Sequence, residues 1–254
     1  MKTSVRRLIR LYTIATILSI LVFSSIYTFI PQLRGSLTKE EQFLQNLQAV
    51  LYFGSFLVGL ISIVRKPPIA KAYLAIPLVG LICFLEEVSY GERIFNFPMP
   101  LVGIMYREKR HFIKIEGLHD LLRVFYGLYG DSFLLLYFLI AAVCVVVFFV
   151  VRQYWIPKIF ERYPPFGFAL ISMGFLFIGG TVDLLHITLA KLFFNWGIDK
   201  HMILQLLAFI DELFDMNAAL ALLFASLSIG RLPGGVKIGP SGDRCSEDHL
   251  KVGP

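Results

Sequence analysis

Acidic side chains and histidines recur inside or beside apolar stretches of this 254-residue chain, where ionisable groups are costly to keep. Glu86 and Glu87 are adjacent at the end of one apolar run, and Asp183 precedes His186 by three residues in another. The remaining members of the set are His119, Asp211, Glu212 and Asp215. Carboxylates and imidazoles that converge in a helix bundle are suited to bind a divalent metal or to carry protons.

Helical spacing places several of these residues on shared faces. Asp183 and His186 are related as i and i+3, and Asp211 and Asp215 as i and i+4, so each pair lies on one side of its helix. A metal with two or three such ligands and an open position activates water, and a spare carboxylate then acts as general base. The candidate catalytic residues are Glu86, Glu87, Asp211 and Glu212, and the candidate ligands of a zinc, iron or manganese ion are His119, Asp183, His186 and Asp215.

Two further features of the spacing bear on this site. Gly179 and Ala190 share the side of the helix that carries Asp183 and His186, and small residues permit a neighbouring helix to approach closely. At about 1.5 Å per residue, Asp215 could lie several Å deeper in the membrane than His186, so one compact site need not hold every member. Structural alternatives stay open, namely a hydrogen-bonded Asp183–His186 pair between helices.

The composition indicates a membrane protein. Hydrophobic residues make up 57% of the chain and charged residues 17%, and the mean hydropathy is +0.71. The apolar residues form continuous runs of the roughly 20 residues that a membrane helix needs, without the alternation of a β-barrel. The fold class predicted is therefore all-α, a polytopic bundle of transmembrane helices.

About six spans are predicted, at Leu8–Ile30, Phe43–Val64, Ala70–Ser89, Ser132–Val151, Phe166–Phe194 and Met202–Ile229. The long connection between the third and fourth spans contains an apolar segment, 94–105, that is interrupted by Pro98 and Pro100. That segment is too short to span, so we expect it to be interfacial or re-entrant. Residues 1–230 form one membrane domain, and the polar, Gly- and Pro-rich residues 231–254 are expected to be disordered.

Basic residues predict the orientation. The first ten residues contain Lys2, Arg6, Arg7 and Arg10, and such a cluster favours the cytoplasmic side. The acidic candidates of separate spans then all lie toward the outer membrane face. In a membrane protein the positions of Lys and Arg are more informative than the net charge, which is +6 here. We therefore do not interpret the positive charge as a sign of a nucleic-acid partner. The partner that we expect is the lipid bilayer.

One motif resembles a known group. The stretch from Glu86 to Phe95, E-E-V-S-Y-G-E-R-I-F, resembles the E-E-I-S-W-G-Q-R-I-F signature of a group of uncharacterised bacterial polytopic membrane proteins. In that group an E-x-x-L-H-N-L-like stretch follows, and Glu116-Gly117-Leu118-His119-Asp120-Leu121 is similar to it. The resemblance covers about forty residues and implies a bacterial cytoplasmic (inner) membrane. It supports the site without assigning its chemistry.

A looser similarity is to the alkaline ceramidase-like membrane hydrolases, which hold a zinc ion with three histidines and use a serine and an aspartate. Ser89, His119, Asp183 and His186 are the residues of this chain that such a site would use. The chain lacks an H-x-x-x-H motif and has six predicted spans where that family has seven.

Three functional hypotheses follow. The first is a metal-dependent hydrolase or transferase that acts on a lipid or lipid-linked substrate within the membrane. The second is a transporter or channel in which the same acids carry protons or cations. The third is a non-catalytic subunit whose acids pair with a partner's helix.

Overall fold

A computed structural model describes most of the helical part of this chain. The residues described are 3–38, 43–65, 73–88, 101–106, 109–114, 125, 128–130, 132–133, 136–137, 139, 159–160, 162–195 and 199–232. The α-helices are α1 (Thr3–Phe29), α2 (Arg34–Thr38), α3 (Phe43–Arg65), α4 (Ala75–Glu87), α5 (Pro164–Asn195) and α6 (Lys200–Ile229). A 3₁₀ turn, Pro31–Leu33, joins α1 to α2, and the strands are β1 (Leu101–Tyr106) and β2 (Lys109–Lys114).

Within the described part of the chain, three helices are long and apolar enough to cross a membrane. Their apolar segments are Ser4–Phe29 in α1, Phe43–Arg65 in α3 and Pro164–Leu185 in α5. They coincide with the first, second and fifth predicted spans. Large apolar side chains such as Leu21 and Met173 are exposed on them, as expected for helices that face lipid.

The other predicted spans differ from the observed elements. The third predicted span is represented by α4, whose 13 residues are too few to cross a bilayer. The sixth corresponds to α6, which has 30 residues, but its three central acids interrupt the apolar sequence. The fourth, Ser132–Val151, lies almost entirely outside the described residues. The structure therefore supports three spans directly.

The connection after α4 contains a β-hairpin, which the all-α prediction did not include. β1 and β2 pair antiparallel, with Leu101 opposite Lys114 and Tyr106 opposite Lys109. The β-branched residues Val102, Ile104 and Ile113 favour a strand over a helix. Pairing of the two strands provides hydrogen bonds for their backbone N–H and C=O groups. Residues 101–105 of the segment expected to be interfacial or re-entrant therefore belong to a strand.

Helix α6 is the central element of the bundle. Its buried apolar residues belong to three clusters, two of which show the direction of α1 relative to α6. Leu8 near the start of α1 and Phe168 near the start of α5 belong to one cluster with Ile229 at the end of α6. Tyr27 near the end of α1 belongs to the other, with Phe209 in the first half of α6. Helices α1 and α5 therefore run antiparallel to α6.

Basic residues gather at the end of the bundle where α1 begins and α6 ends. α3 also ends there, because a Cβ added at Gly230, directly after α6, would lie 3.1 Å from Oγ of Ser62. The arginines flanking these termini are Arg6, Arg7, Arg10, Arg65, Arg162 and Arg231. Of the long described helices, α1 and α5 therefore start at the basic end, and α3 and α6 end there.

Small residues allow α3 to pack closely against α4 and α6. Oγ of Ser55 donates to the Leu222 carbonyl oxygen at 3.0 Å and lies 2.9 Å from Oγ of Ser226. A Cβ at Gly80 of α4 would lie 3.1 Å from the Tyr52 carbonyl oxygen, which belongs to the backbone of α3. A contact with backbone cannot be relieved by rotating a side chain.

The Gly80→Ala substitution should therefore push α4 away from α3 and destabilise the protein by about 1–3 kcal/mol. Gly174→Ala on α5 is the matched control, because its added Cβ would meet nothing within 4 Å. The control should be neutral or stabilising by up to about 1 kcal/mol, the helix propensity gained over glycine. Unfolding free energies in detergent micelles test this, and equal effects of both variants would contradict the packing described.

Helix α6 begins at a charged cap. The Asp199 carboxylate accepts hydrogen bonds from the backbone N–H groups of His201 (2.7 Å) and Met202 (3.0 Å). These bonds lower the pKa of Asp199 below its ordinary value, because they favour the charged form.

Asp199→Ala should lower the melting temperature, whereas Asp199→Asn should change it little at neutral pH, since asparagine is also a good helix cap. Because the folded-state pKa is depressed, the charged cap stabilises the fold above about pH 4, and this stabilisation is lost as pH falls through the folded value. Thermal melts between neutral and acidic pH would measure it. A melting temperature of Asp199→Ala equal to wild type at neutral pH would show that the cap is unimportant.

Candidate intramembrane acidic site

Two carboxylates of α6 lie against the backbone of α5. A Cβ added at Gly179 would be 2.7 Å from Oδ1 of Asp215 and 3.1 Å from Oδ1 of Asp211. Asp211 and Asp215 therefore share a face of α6, as their spacing predicts. Gly179 permits the close approach expected of a small residue, because a side chain there would occupy the space of a carboxylate oxygen.

Glu212 is held on the opposite side, against α3. The Nε2 amide of Gln48 donates to Oε2 of Glu212 at 2.8 Å and to its carbonyl oxygen at 2.9 Å. Gln48 is only 1% exposed, so this contact lies inside the bundle. A buried amide that bonds one carboxylate and its backbone fixes both the position and the orientation of that residue.

Helix α4 adds two carboxylates to this cluster. Asp215 interacts electrostatically with Asp211 and Glu212 on its own helix, and with Glu86 and Glu87 at the end of α4. Residues 86–87 and 211–215 are thus neighbours in space although more than a hundred positions separate them. We call Glu86, Glu87, Asp211, Glu212 and Asp215 the acidic cluster.

Tyr52 of α3 also adjoins the acidic cluster. It is 1% exposed, its hydroxyl lies 3.5 Å from the Asp215 carbonyl oxygen, and it interacts electrostatically with Asp215, Glu87 and Glu86. Sequence reasoning did not assign Gln48 or Tyr52 to the site. The spacing of Gln48 and Tyr52 could have indicated their role, because polar side chains four positions apart share one face of a largely apolar helix.

The other predicted site residues lie further toward the far end of α5 or outside the described structure. Asp183 is partly buried one turn beyond Gly179, a rise of about 6 Å. The backbone of His186 is about 10 Å beyond Gly179 along the helix, and its side chain is not described. His119 lies outside the described residues. This spread agrees with the predicted difference in depth between Asp215 and His186.

The donor types decide which ions suit the described part of the site. Its side chains offer carboxylates, the Gln48 amide and the Tyr52 hydroxyl. Oxygen donors of this kind suit protons and hard cations, whereas zinc prefers nitrogen or sulfur ligands. Among the side chains that the structure describes, no three His, Cys, Asp or Glu residues converge tightly enough to hold a metal ion. The predicted ligand set His119, Asp183, His186 and Asp215 stays a prediction, because its imidazoles are not described.

Comparisons with protein-family models, with curated proteins and with solved structures gave no match to this chain. The assignment of the site therefore rests on its own geometry.

The contact at Gly179 gives a direct test of this geometry. Gly179→Ala places a methyl group 2.7 Å from Oδ1 of Asp215, which should destabilise the protein by about 1–3 kcal/mol. In an Asp215→Ala background the obstructing oxygen is gone, so the same substitution should cost at least about 1 kcal/mol less. A double-mutant cycle on unfolding free energies measures this coupling. Strictly additive effects would mean that α5 and α6 are not in contact at this point.

Proposed function

We propose that this chain is a multi-pass membrane protein whose acidic cluster binds protons or small cations in transit, as in an ion-coupled transporter or channel. The observation that supports the proposal is that Asp211 and Asp215 lie against the α5 backbone at Gly179, while Glu212 accepts a hydrogen bond from the buried Gln48 of α3. Ionisable residues in membrane helices typically mark ion paths.

The physical argument starts from repulsion between like charges. Carboxylates repel one another strongly where water is scarce, and a bound proton or cation reduces that repulsion. Because Asp211 and Asp215 lie directly against Gly179 of α5, a change in their charge alters the packing of α5 on α6. Ion binding would thereby be coupled to helix movement, as transport requires.

The position of the cluster in the bundle adds to this proposal. The basic termini of the helices lie at one end, and Glu86 and Glu87 terminate α4, which starts near that end with Ile76 in the same cluster as Leu8. With the basic end in the cytoplasm of a bacterial cell, the acidic cluster would lie in the outer half of the inner membrane.

The metal-dependent hydrolase or transferase acting on a lipid or lipid-linked substrate remains the alternative. It needs the imidazoles of His119 and His186 beside the acidic cluster, and neither side chain is among those that the structure describes. The third hypothesis, a non-catalytic subunit, would require a partner helix to pair with the acids. The described donors, which are carboxylates with one amide and one hydroxyl, support the ion-binding proposal.

Ion flux through purified protein in liposomes tests the proposal. An imposed pH or cation gradient should drive flux in wild type, and Asp211→Asn or Asp215→Asn should reduce it to the leak of protein-free vesicles, because each removes a charge from the cluster. Asp199→Asn is the matched control, since Asp199 caps α6 in an exposed position outside the cluster, and it should keep wild-type flux.

Flux that persists in both cluster variants would contradict the proposal. Absent flux together with stoichiometric bound metal, and a lipid-hydrolysing activity that chelators abolish, would favour the enzyme. Elemental analysis of the same preparation separates these outcomes.

A further inference from the structure

A cleft of about 550 Å³ opens at the basic end of the bundle. It lies where the start of α1 meets the residues that follow α6, and its lining includes Ser4, Arg7, Leu11 and Arg231. Asp215 lies 14 residues before the end of α6, a rise of about 21 Å, so this cleft is not part of the site described above.

The cleft brings together two guanidinium groups from opposite ends of the sequence. Arg7 and Arg231 are both exposed, and both line the cleft. Arginine binds phosphate oxygens with paired, charge-assisted hydrogen bonds. Ser4 adds a hydroxyl within the first turn of α1, where backbone N–H groups lack helical partners. The polar part of the cleft thus suits a phosphate group.

An apolar stripe continues from the cleft along α1. Ser4, Arg7 and Leu11 are followed at the same helical spacing by Ile14, Leu18 and Leu21. Leu11, Ile14, Leu18 and Leu21 are 45–58% exposed, so the stripe faces outward over three turns. A free phosphate ion would not use this stripe, whereas the acyl chain of a lipid would lie along it.

We propose that this cleft binds an anionic phospholipid, with its phosphate between Arg7 and Arg231 and an acyl chain along the exposed stripe of α1. The two positive charges favour an anionic headgroup over a zwitterionic one. Basic residues near a membrane surface each strengthen binding of anionic lipid by about fivefold, so the pair should contribute about thirtyfold. This proposal is independent of ion transport, because none of the residues that line the cleft belongs to the acidic cluster.

Lipid retention by the full chain tests the site. The protein is purified in detergent, supplied with equal amounts of phosphatidylglycerol and phosphatidylcholine of identical acyl chains, and examined by native mass spectrometry. Wild type should retain phosphatidylglycerol preferentially. Arg7→Gln with Arg231→Gln should reduce its affinity about thirtyfold.

The matched control is Arg65→Gln with Arg162→Gln, which removes the same charge at the same end of the bundle from residues outside the described lining. It should leave retention unchanged. Ile14→Ser should weaken retention by shortening the apolar stripe, and inorganic phosphate should not compete.

Three results would overturn the proposal. An equal loss in the control pair would indicate general attraction to a basic surface. Competition by inorganic phosphate, with no effect of Ile14→Ser, would indicate a phosphate-ion site. Equal retention of both lipids by wild type would show that the two arginines do not select an anionic headgroup over a zwitterionic one. If the double variant has a lower melting temperature than wild type, Arg7→Gln and Arg231→Gln are measured separately. Each should lower the affinity for phosphatidylglycerol about fivefold.

Discussion

The contact between Gly179 and the carboxylates of Asp211 and Asp215 is the constraint on which the rest of this bundle depends. Acids in the middle of a largely apolar helix can be buried only where a neighbouring helix leaves room and where other polar groups lie close. α5 supplies the room through a glycine, and α3 supplies Gln48 on the opposite side for Glu212. Helix α6 is thereby held between two helices, α3 and α5, that both contact its acids.

The bundle separates its charges along its length. Arginines flank the helix termini at one end, whereas the acids of α4 and α6 meet further along the helices. Basic residues at helix termini set the orientation of a membrane protein and attract anionic lipids. Neither role involves the acids of α4 and α6. The basic end and the acidic cluster are therefore separate parts of one molecule, and the two proposed binding roles can be tested independently.

Sequence periodicity predicted the features that are set within one helix, namely its position and the residues that share a face. It gave α1, α3 and α5 with their apolar segments, the shared face of Asp211 and Asp215, and the small residue at Gly179. It could not identify Gln48 as the partner of Glu212, which is 164 residues away, because spacing defines a face without showing which helix that face meets. For the same reason the meeting of Arg7 and Arg231 was not foreseen. The β1–β2 hairpin was missed because a short apolar run is compatible with a strand or a re-entrant segment.

The most direct measurement is a cross-link between α4 and α6 in the bilayer. Cysteines replace Glu87 and Asp215 in a chain whose Cys83, Cys144 and Cys245 are serines, and a short bis-maleimide is added. We expect efficient intramolecular cross-linking of this pair and none between cysteines at Glu87 and Ser228, because Ser228 lies about 20 Å further along α6 than Asp215. Failure of the first pair to react, with both thiols accessible to a monofunctional maleimide, would show that the acids of the two helices do not form one site.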